Sequence, residues 1–241
     1  QTPRVYNELI NRESVSSNVV KARRDLMYKM LSSSGLENLG YTGFSADAGL
    51  FYTVIRDNNL YQLAENEWGF NITDQSTSQL SPLWEAADNL FRGSEKSVTL
   101  SELYEVWQAP PIGARRGVLP IFALIYFLSN RHQLSLYIEN NFIPDLTEAY
   151  LDEWMQDTKR IAFKHVEIGK DRKELLKSLS LSLGKTLGRS VAPTPLESAR
   201  GLVNLIANLP SWTKRTSSVS DEAQELRRLI LKANDPYKVL F

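Results

Sequence analysis

No cysteine occurs in this 241-residue chain, which excludes disulfides, thiolate catalysis and cysteine-based metal sites. Histidine is nearly as scarce. His132 and His165 are far apart and share no cluster of carboxylates, so neither a histidine metal site nor a histidine-based triad has a foundation. Charge of one sign is not in excess either: Lys+Arg and Asp+Glu are 28 each. Global attraction to nucleic acid or to an anionic membrane is therefore absent, and any such binding needs a local patch. Long hydrophobic runs are missing as well. The longest strongly apolar stretch, Val118–Leu128, is about half the length of a membrane span and reads as a buried helix. Gln1–Arg12 lacks the apolar segment of a signal peptide. With 42% hydrophobic and 23% charged residues the chain has ordinary globular composition, and its length suits one large domain or two small ones. The expected location is the cytoplasm, with no membrane partner.

Helix starts are well marked. Thr2-Pro3, Ser81-Pro82 and Thr194-Pro195 each set a hydroxyl cap before a proline at the first helical position, and Glu197 completes a capping box with Thr194. Apolar periodicity and these caps predict helices at about 3–12, 17–33, 45–57, 82–92, 100–108, 117–131, 147–157, 171–183, 195–209 and 220–233. Strand signal is sparse. Leu134–Ile138 alternates, Glu139-Asn-Asn141 can turn, and Phe142-Ile143 can return before Pro144 stops the ladder. Arg160–Ile168 alternates too and is a candidate third strand. Glu65–Gln79 is expected to be a polar exposed loop, and Lys185–Pro195 a hinge or linker.

The most distinctive stretch is Leu100–Glu153: a short helix, a Pro-Pro-Ile-Gly turn, a very apolar helix, two short strands and another helix start. That order predicts a mainly α fold, a multi-helix domain with a winged-helix-like module built on a small hairpin or three-stranded sheet. The expected division is an N-terminal helical subdomain at 1–95, the winged-helix-like module at 96–170 and a C-terminal helical subdomain at 171–241. Pro110, Pro111 and Gly113 are expected to form a rigid turn that aims the apolar helix into the core, since proline fixes φ and glycine admits a left-handed one.

No catalytic set emerges. Gly184-Lys185-Thr186 invites comparison with a phosphate loop, but the first glycine of G-x-x-x-x-G-K-[ST] is replaced by Leu179 and the segment follows a helical pattern; Gly184 is expected to cap that helix instead. The acidic pairs Asp152-Glu153 and Asp221-Glu222 sit near helix starts, where the macrodipole favours them. Basic residues do cluster. Arg115 and Arg116 precede the apolar helix, and Lys159, Arg160 and Lys164 lie near the third strand. These five are the candidate phosphate contacts of a sequence-independent nucleic-acid interface. Val118–Phe127 is apolar almost all round, as a buried helix is, so docking of that helix in a DNA groove is disfavoured against a protein-docking role. Lys214-Arg215 beside Trp212 is a further basic pair.

Trp107–Pro120, with its PP-x-G-x-x-x-G-x-x-P pattern, and Leu136–Pro144, with LY-x-x-x-x-F-x-P, resemble a segment of large bacterial P-loop ATP-binding proteins. Those proteins are encoded in phage-defence or DNA-modification islands of the BREX, Pgl or Dnd kind. Thr2–Arg12 with Ser16-Ser17 and Ala22-Arg23-Arg24, and Leu209–Thr216 with Asp235–Phe241, are similar to flanking segments of the same proteins. Neither Walker motif is present here. The resemblance therefore implies a non-catalytic accessory region of a larger defence-associated ATPase, one that couples nucleotide state to nucleic acid or a partner protein and needs no cofactor of its own. Its expected partners are the remainder of a larger polypeptide, DNA through its backbone, and other defence-system proteins. A start at Gln1 and an apolar end at Tyr237–Phe241 fit the same expectation of a piece of a longer chain. The alternative is a purely scaffolding interaction domain, with Trp84, Trp107, Trp154 and Trp212 in core and interface roles.

Overall fold

The computed structural model describes residues 5, 7, 9–10, 14–64, 66–72, 78–92, 96–166 and 173–232. Among these the chain is mainly helical, with two small antiparallel sheets. It divides into two compact units: Gln1–Arg131 with Leu146–Ala162, and His132–Asp145 with Phe163–Phe241. The expected domain boundaries near 95 and 170 fall at residues outside the described set, as does most of the expected helix 3–12.

In the first unit, α1 (Ser17–Ser32) buries Val19, Ala22, Leu26, Met27 and Met30, one stripe at helical spacing. The next helix, α2 (Ala46–Leu50), continues through a wide turn at Phe51–Ile55 and a tight one at Arg56–Asn58. Asn59, at φ 55°, ends it in the left-handed region that asparagine tolerates. Strands β1 (Tyr61–Ala64) and β2 (Glu67–Phe70) then pair antiparallel, Tyr61 opposite Phe70 and Leu63 opposite Trp68. This hairpin corrects the first part of the expected polar loop at Glu65–Gln79, where Glu67–Phe70 is a strand; Glu65 and residues 73–77 lie outside the described residues. Its warrant is cross-strand aromatic packing, with Tyr61 stacked 5.7 Å from Trp68 and tilted against Phe70 at 4.9 Å. Helix α3 (Ser81–Arg92) takes Ser81 as its first residue, one position later in role than the expected cap; Ser78 Oγ instead accepts from the Leu80 N–H at 3.2 Å. After β3 (Val98–Thr99) comes α4 (Leu100–Gln108), opened by a full capping box that the sequence reading missed. Thr99 Oγ1 accepts from the Glu102 N–H at 3.2 Å, and Glu102 Oε2 accepts from the Thr99 N–H at 2.7 Å.

Helix α5 (Leu119–Ser129) is the centre of this unit, with every residue from Leu119 to Phe127 buried. Trp84 of α3 meets Phe122 edge-on at 5.6 Å, and Phe91 stacks on Tyr126 at 5.5 Å. The Tyr126 hydroxyl donates to Asp88 at 2.8 Å. Burial, and then that bond, push its pKa above the ordinary tyrosine value. Helix α6 (Glu148–Gln156) closes the unit; its Trp154 lies 6.3 Å from Phe127, and its Asp152 accepts from Tyr28 of α1 at 2.6 Å.

Gly117 is required by close backbone approach. A Cβ there would stand 2.0 Å from the Ile10 carbonyl oxygen, and a backbone atom cannot swing aside as a side chain can. Gly117→Ala is expected to lower the unfolding free energy by about 1–3 kcal/mol, the usual cost of an overpacked site. Urea titration checks it, and an unchanged midpoint would show that Ile10 does not lie against Gly117.

In the second unit, β4 (Leu134–Ile138) and β5 (Asn141–Ile143) form the expected hairpin, with Glu139 and Asn140 turning at φ 50° and 64°. The expected third strand is β6 (Ile161–His165), which begins in the first unit and ends in the second. It runs antiparallel to β4, since Val166 N–H donates to Gln133 O while Ser135 Oγ donates to Lys164 O, each at 2.8 Å. Strand order is β3-β6-β4-β5. Three helices complete the unit: α7 (Lys173–Leu187), α8 (Pro195–Ala207) and α9 (Asp221–Lys232). Their core joins Leu183, Val191, Ala199, Leu202, Ile206 and Ile230. The expected linker at Lys185–Pro195 is thus anchored by Val191. No helix of the described residues is long and apolar enough to cross a membrane.

Candidate nucleic-acid interface

The Pro110-Pro111-Gly113 turn is built as the residue types require. Gly113 adopts φ 63°, the Ile112 and Gly113 N–H groups both donate to Ala109 O at 3.1 Å, and Ala114 N–H donates to Trp107 O at 2.8 Å. The turn therefore closes back on the end of α4 and delivers the chain to α5. Arg115 and Arg116 follow it, both exposed. Arg116 Nε donates to Gln108 Oε1 at 3.4 Å, which keeps its guanidinium at the C-terminal end of α4. Behind them Arg23 of α1 donates from Nη1 to Gly117 O at 3.0 Å. Burial, opposed by Tyr104, holds its pKa below the ordinary arginine value.

Lys159 and Arg160 occupy a second turn, before β6. Asp157 Oδ1 accepts from the Lys159 N–H at 3.0 Å, and Arg160 lies 3.7 Å from Glu153. Both side chains are exposed. This turn is tied to the other end of α4, because Ser101 N–H donates to Thr158 O at 3.1 Å. The nine residues of α4 rise about 12 Å from first to last. The two cationic turns thus flank α4 at its opposite ends. Lys164 is half-buried on β6 and belongs to the second unit.

Acids stand on the same helix. Glu102 is held by Thr99, whose hydroxyl and then N–H keep its carboxyl below the usual range. Glu105 is exposed one turn further on. The apolar α5 that follows the arginines presents no exposed face before Leu128, so it cannot lie in a groove as a recognition helix.

The other sequence candidates resolve plainly. Gly184, Lys185 and Thr186 lie inside α7, with Thr186 Oγ1 donating to Ser182 O at 3.0 Å. The helix ends instead at Gly188, φ 66°, so the expected cap at Gly184 is corrected: α7 runs a full turn further than its apolar period suggested. Among the described residues no group of three or more His, Asp or Glu could hold a metal. The feature that sequence reasoning missed is a buried ion pair. Thr194 Oγ1 accepts from the Glu197 N–H at 3.3 Å, but the Glu197 carboxylate turns to Arg200 at 2.6 Å and to His132 Nδ1 at 3.5 Å. Arg200 also reaches Leu134 O at 3.5 Å. Glu197 and Arg200 are three residues apart on a helix, a spacing that signals pairing but not burial.

No protein-family model, no curated protein and no solved structure matches this chain.

Proposed function

We propose that this chain is a non-catalytic, winged-helix-like accessory region that grips nucleic acid by its phosphates and serves a larger ATPase of phage-defence or DNA-modification systems. The observation that carries the nucleic-acid reading is the pair of exposed cationic turns, Arg115-Arg116 and Lys159-Arg160, at the two ends of α4. The helix between them rises about 12 Å, the scale of a B-DNA major groove, which supports a reading in which the two turns meet phosphates of different strands. The fold reading is supported by the order α3, β3, α4, α5, β4 and by the position of β6 between β3 and β4. That is where the returning strand of a winged helix belongs, with β5 and α6 inserted ahead of it. Coupling to nucleotide state, the ATPase and the defence setting rest on the sequence resemblance alone.

Contacts confined to phosphates carry no sequence information. Replacing Arg115 and Arg116 by Ala is expected to weaken unrelated duplexes equally and to lower the salt slope by about 0.9 per lost contact. Glu105→Gln, which removes one of the two exposed acids on α4, should strengthen binding. Fluorescence anisotropy across a salt series reads both. Duplex binding that is indifferent to these changes would place the interface elsewhere, and no binding at low salt would end the nucleic-acid reading.

A second reading, a scaffolding domain, is favoured by one observation. Phe44 is 95% exposed, its ring tilted against that of Tyr52 6.1 Å away, in a stretch where Asp47 and Asp57 outnumber Arg56. An exposed aromatic without a basic surplus around it suits protein docking better than phosphate.

A further inference from the structure

The segment between α8 and α9 holds the exposed indole of Trp212, with 71% of its surface open to solvent, whereas Trp84, Trp107 and Trp154 are core residues. Looseness does not explain this exposure, because the backbone that carries Trp212 is braced from both helices. The Arg215 and Thr216 N–H groups donate to Trp212 O at 3.1 and 2.8 Å, and Lys214 N–H donates to Pro210 O at 3.1 Å. Lys214 Nζ donates to Ala207 O, at the end of α8, at 2.6 Å. From α9, Arg227 donates to Thr213 O and Thr216 O at 2.6 and 2.7 Å, and Gln224 donates to Ser217 O and Val219 O at 3.1 and 3.0 Å. A rigid turn thus presents a large aromatic face that contributes nothing to the core.

Its surroundings select the ligand. In the sequence no carboxylate lies between Glu197 and Asp221, and Lys214 and Arg215 stand two and three positions after the indole. Arg215 is exposed, while Arg227 is engaged with the loop. The flanking Ser211 and Thr213 are polar, so the indole is not part of a continuous apolar run of the kind that inserts into a bilayer. A duplex offers no free base faces. An unpaired strand supplies both missing halves, a base to cover the ring and phosphates to meet the cations.

We propose that Trp212 and Arg215 form a contact site for single-stranded nucleic acid, in which an unpaired base stacks on the indole and Arg215 meets an adjacent phosphate. The site lies in the second unit and uses none of the residues assigned to the duplex interface, so the two stand or fall separately.

The test is a titration of the 241-residue protein with dT12 at low salt, followed by tryptophan emission. Saturable quenching is expected. Trp212→Ala should abolish most of the quenching and weaken binding about tenfold or more, and Trp212→Phe should keep most of the affinity. Arg215→Ala should lower the salt slope by about 0.7. Arg115→Ala with Arg116→Ala should leave the quenching intact. Because the indole is exposed, the thermal midpoint of Trp212→Ala should match the parent, which separates loss of the site from loss of the fold. Absence of quenching by dT12, equal affinity for dT12 in the Trp212→Ala variant, or binding of anionic phospholipid vesicles in preference to dT12 would each overturn the proposal.

Discussion

Phe122→Ala is expected to cost about 3–5 kcal/mol of unfolding free energy, the range for removing a fully buried aromatic ring. The side chain is 1% exposed and its ring lies 5.6 Å from that of Trp84, which in turn sits 6.0 Å from Trp107. Truncation leaves a void beside the Trp84 indole that cannot collapse cheaply, because Trp84 packs edge-on against Trp107, whose Nε1 is anchored to Leu83 O at 2.8 Å. The loss therefore falls near the upper end, and Phe122→Leu, which keeps most of the volume, should cost far less. Urea unfolding followed by tryptophan emission reads the first unit, where Trp84, Trp107 and Trp154 all reside. A cost below about 1 kcal/mol would show that α5 faces solvent or a partner.

The second large effect concerns the pair inside α8. Glu197 and Arg200 have side chains only 8% and 3% exposed, bonded at 2.6 Å. Removing one partner leaves the other charge buried without its counterion, so Arg200→Ala is expected to destabilise by about 3–5 kcal/mol. The arginine also gives up its reach to Leu134 O, which adds a carbonyl to the deficit. Replacing both residues by apolar ones of similar size, Glu197→Leu with Arg200→Met, should recover most of the loss, since two desolvated charges disappear together. A double-mutant cycle in denaturant measures this directly. Single changes that cost under about 1 kcal/mol, or a double variant no better than Arg200→Ala, would show that the pair is solvated and structurally idle.

Much of the helical scaffold was legible in the chain. Helix α4 falls on its expected residues 100–108, and α1, α3, α6, α8 and α9 lie within about two residues of theirs, because caps and apolar spacing are local signals. The burial of α5 followed from an apolar surface with no polar side. The hairpin β1–β2 was not legible. Its Tyr61, Trp68 and Phe70 are separated by polar residues, and only their cross-strand stacking gives that spacing a meaning. Thr194 and Glu197 illustrate the same limit at one residue. Their types and spacing announce a capping box, yet the carboxylate leaves the cap for Arg200 because burial makes a full counterion worth more than a backbone N–H.

The candidate interface divides along similar lines. All five basic residues were visible as clusters, and the rigid turn before α5 was visible from its prolines and glycine. Their grouping was not, since it depends on which turn is tied to which end of α4: Arg116 through Gln108, and Lys159-Arg160 through Thr158 and Ser101. Lys164, adjacent in sequence to the second turn, falls in the other unit. By itself, then, the sequence determined the helices, the buried character of α5, the β4–β5 hairpin and the lack of thiol chemistry, all set by neighbours within a few residues or by composition. Tertiary structure alone decided which charges are buried, which cationic turns share a helix, and which of five tryptophans stands in solvent, because each depends on contacts between segments far apart in the chain.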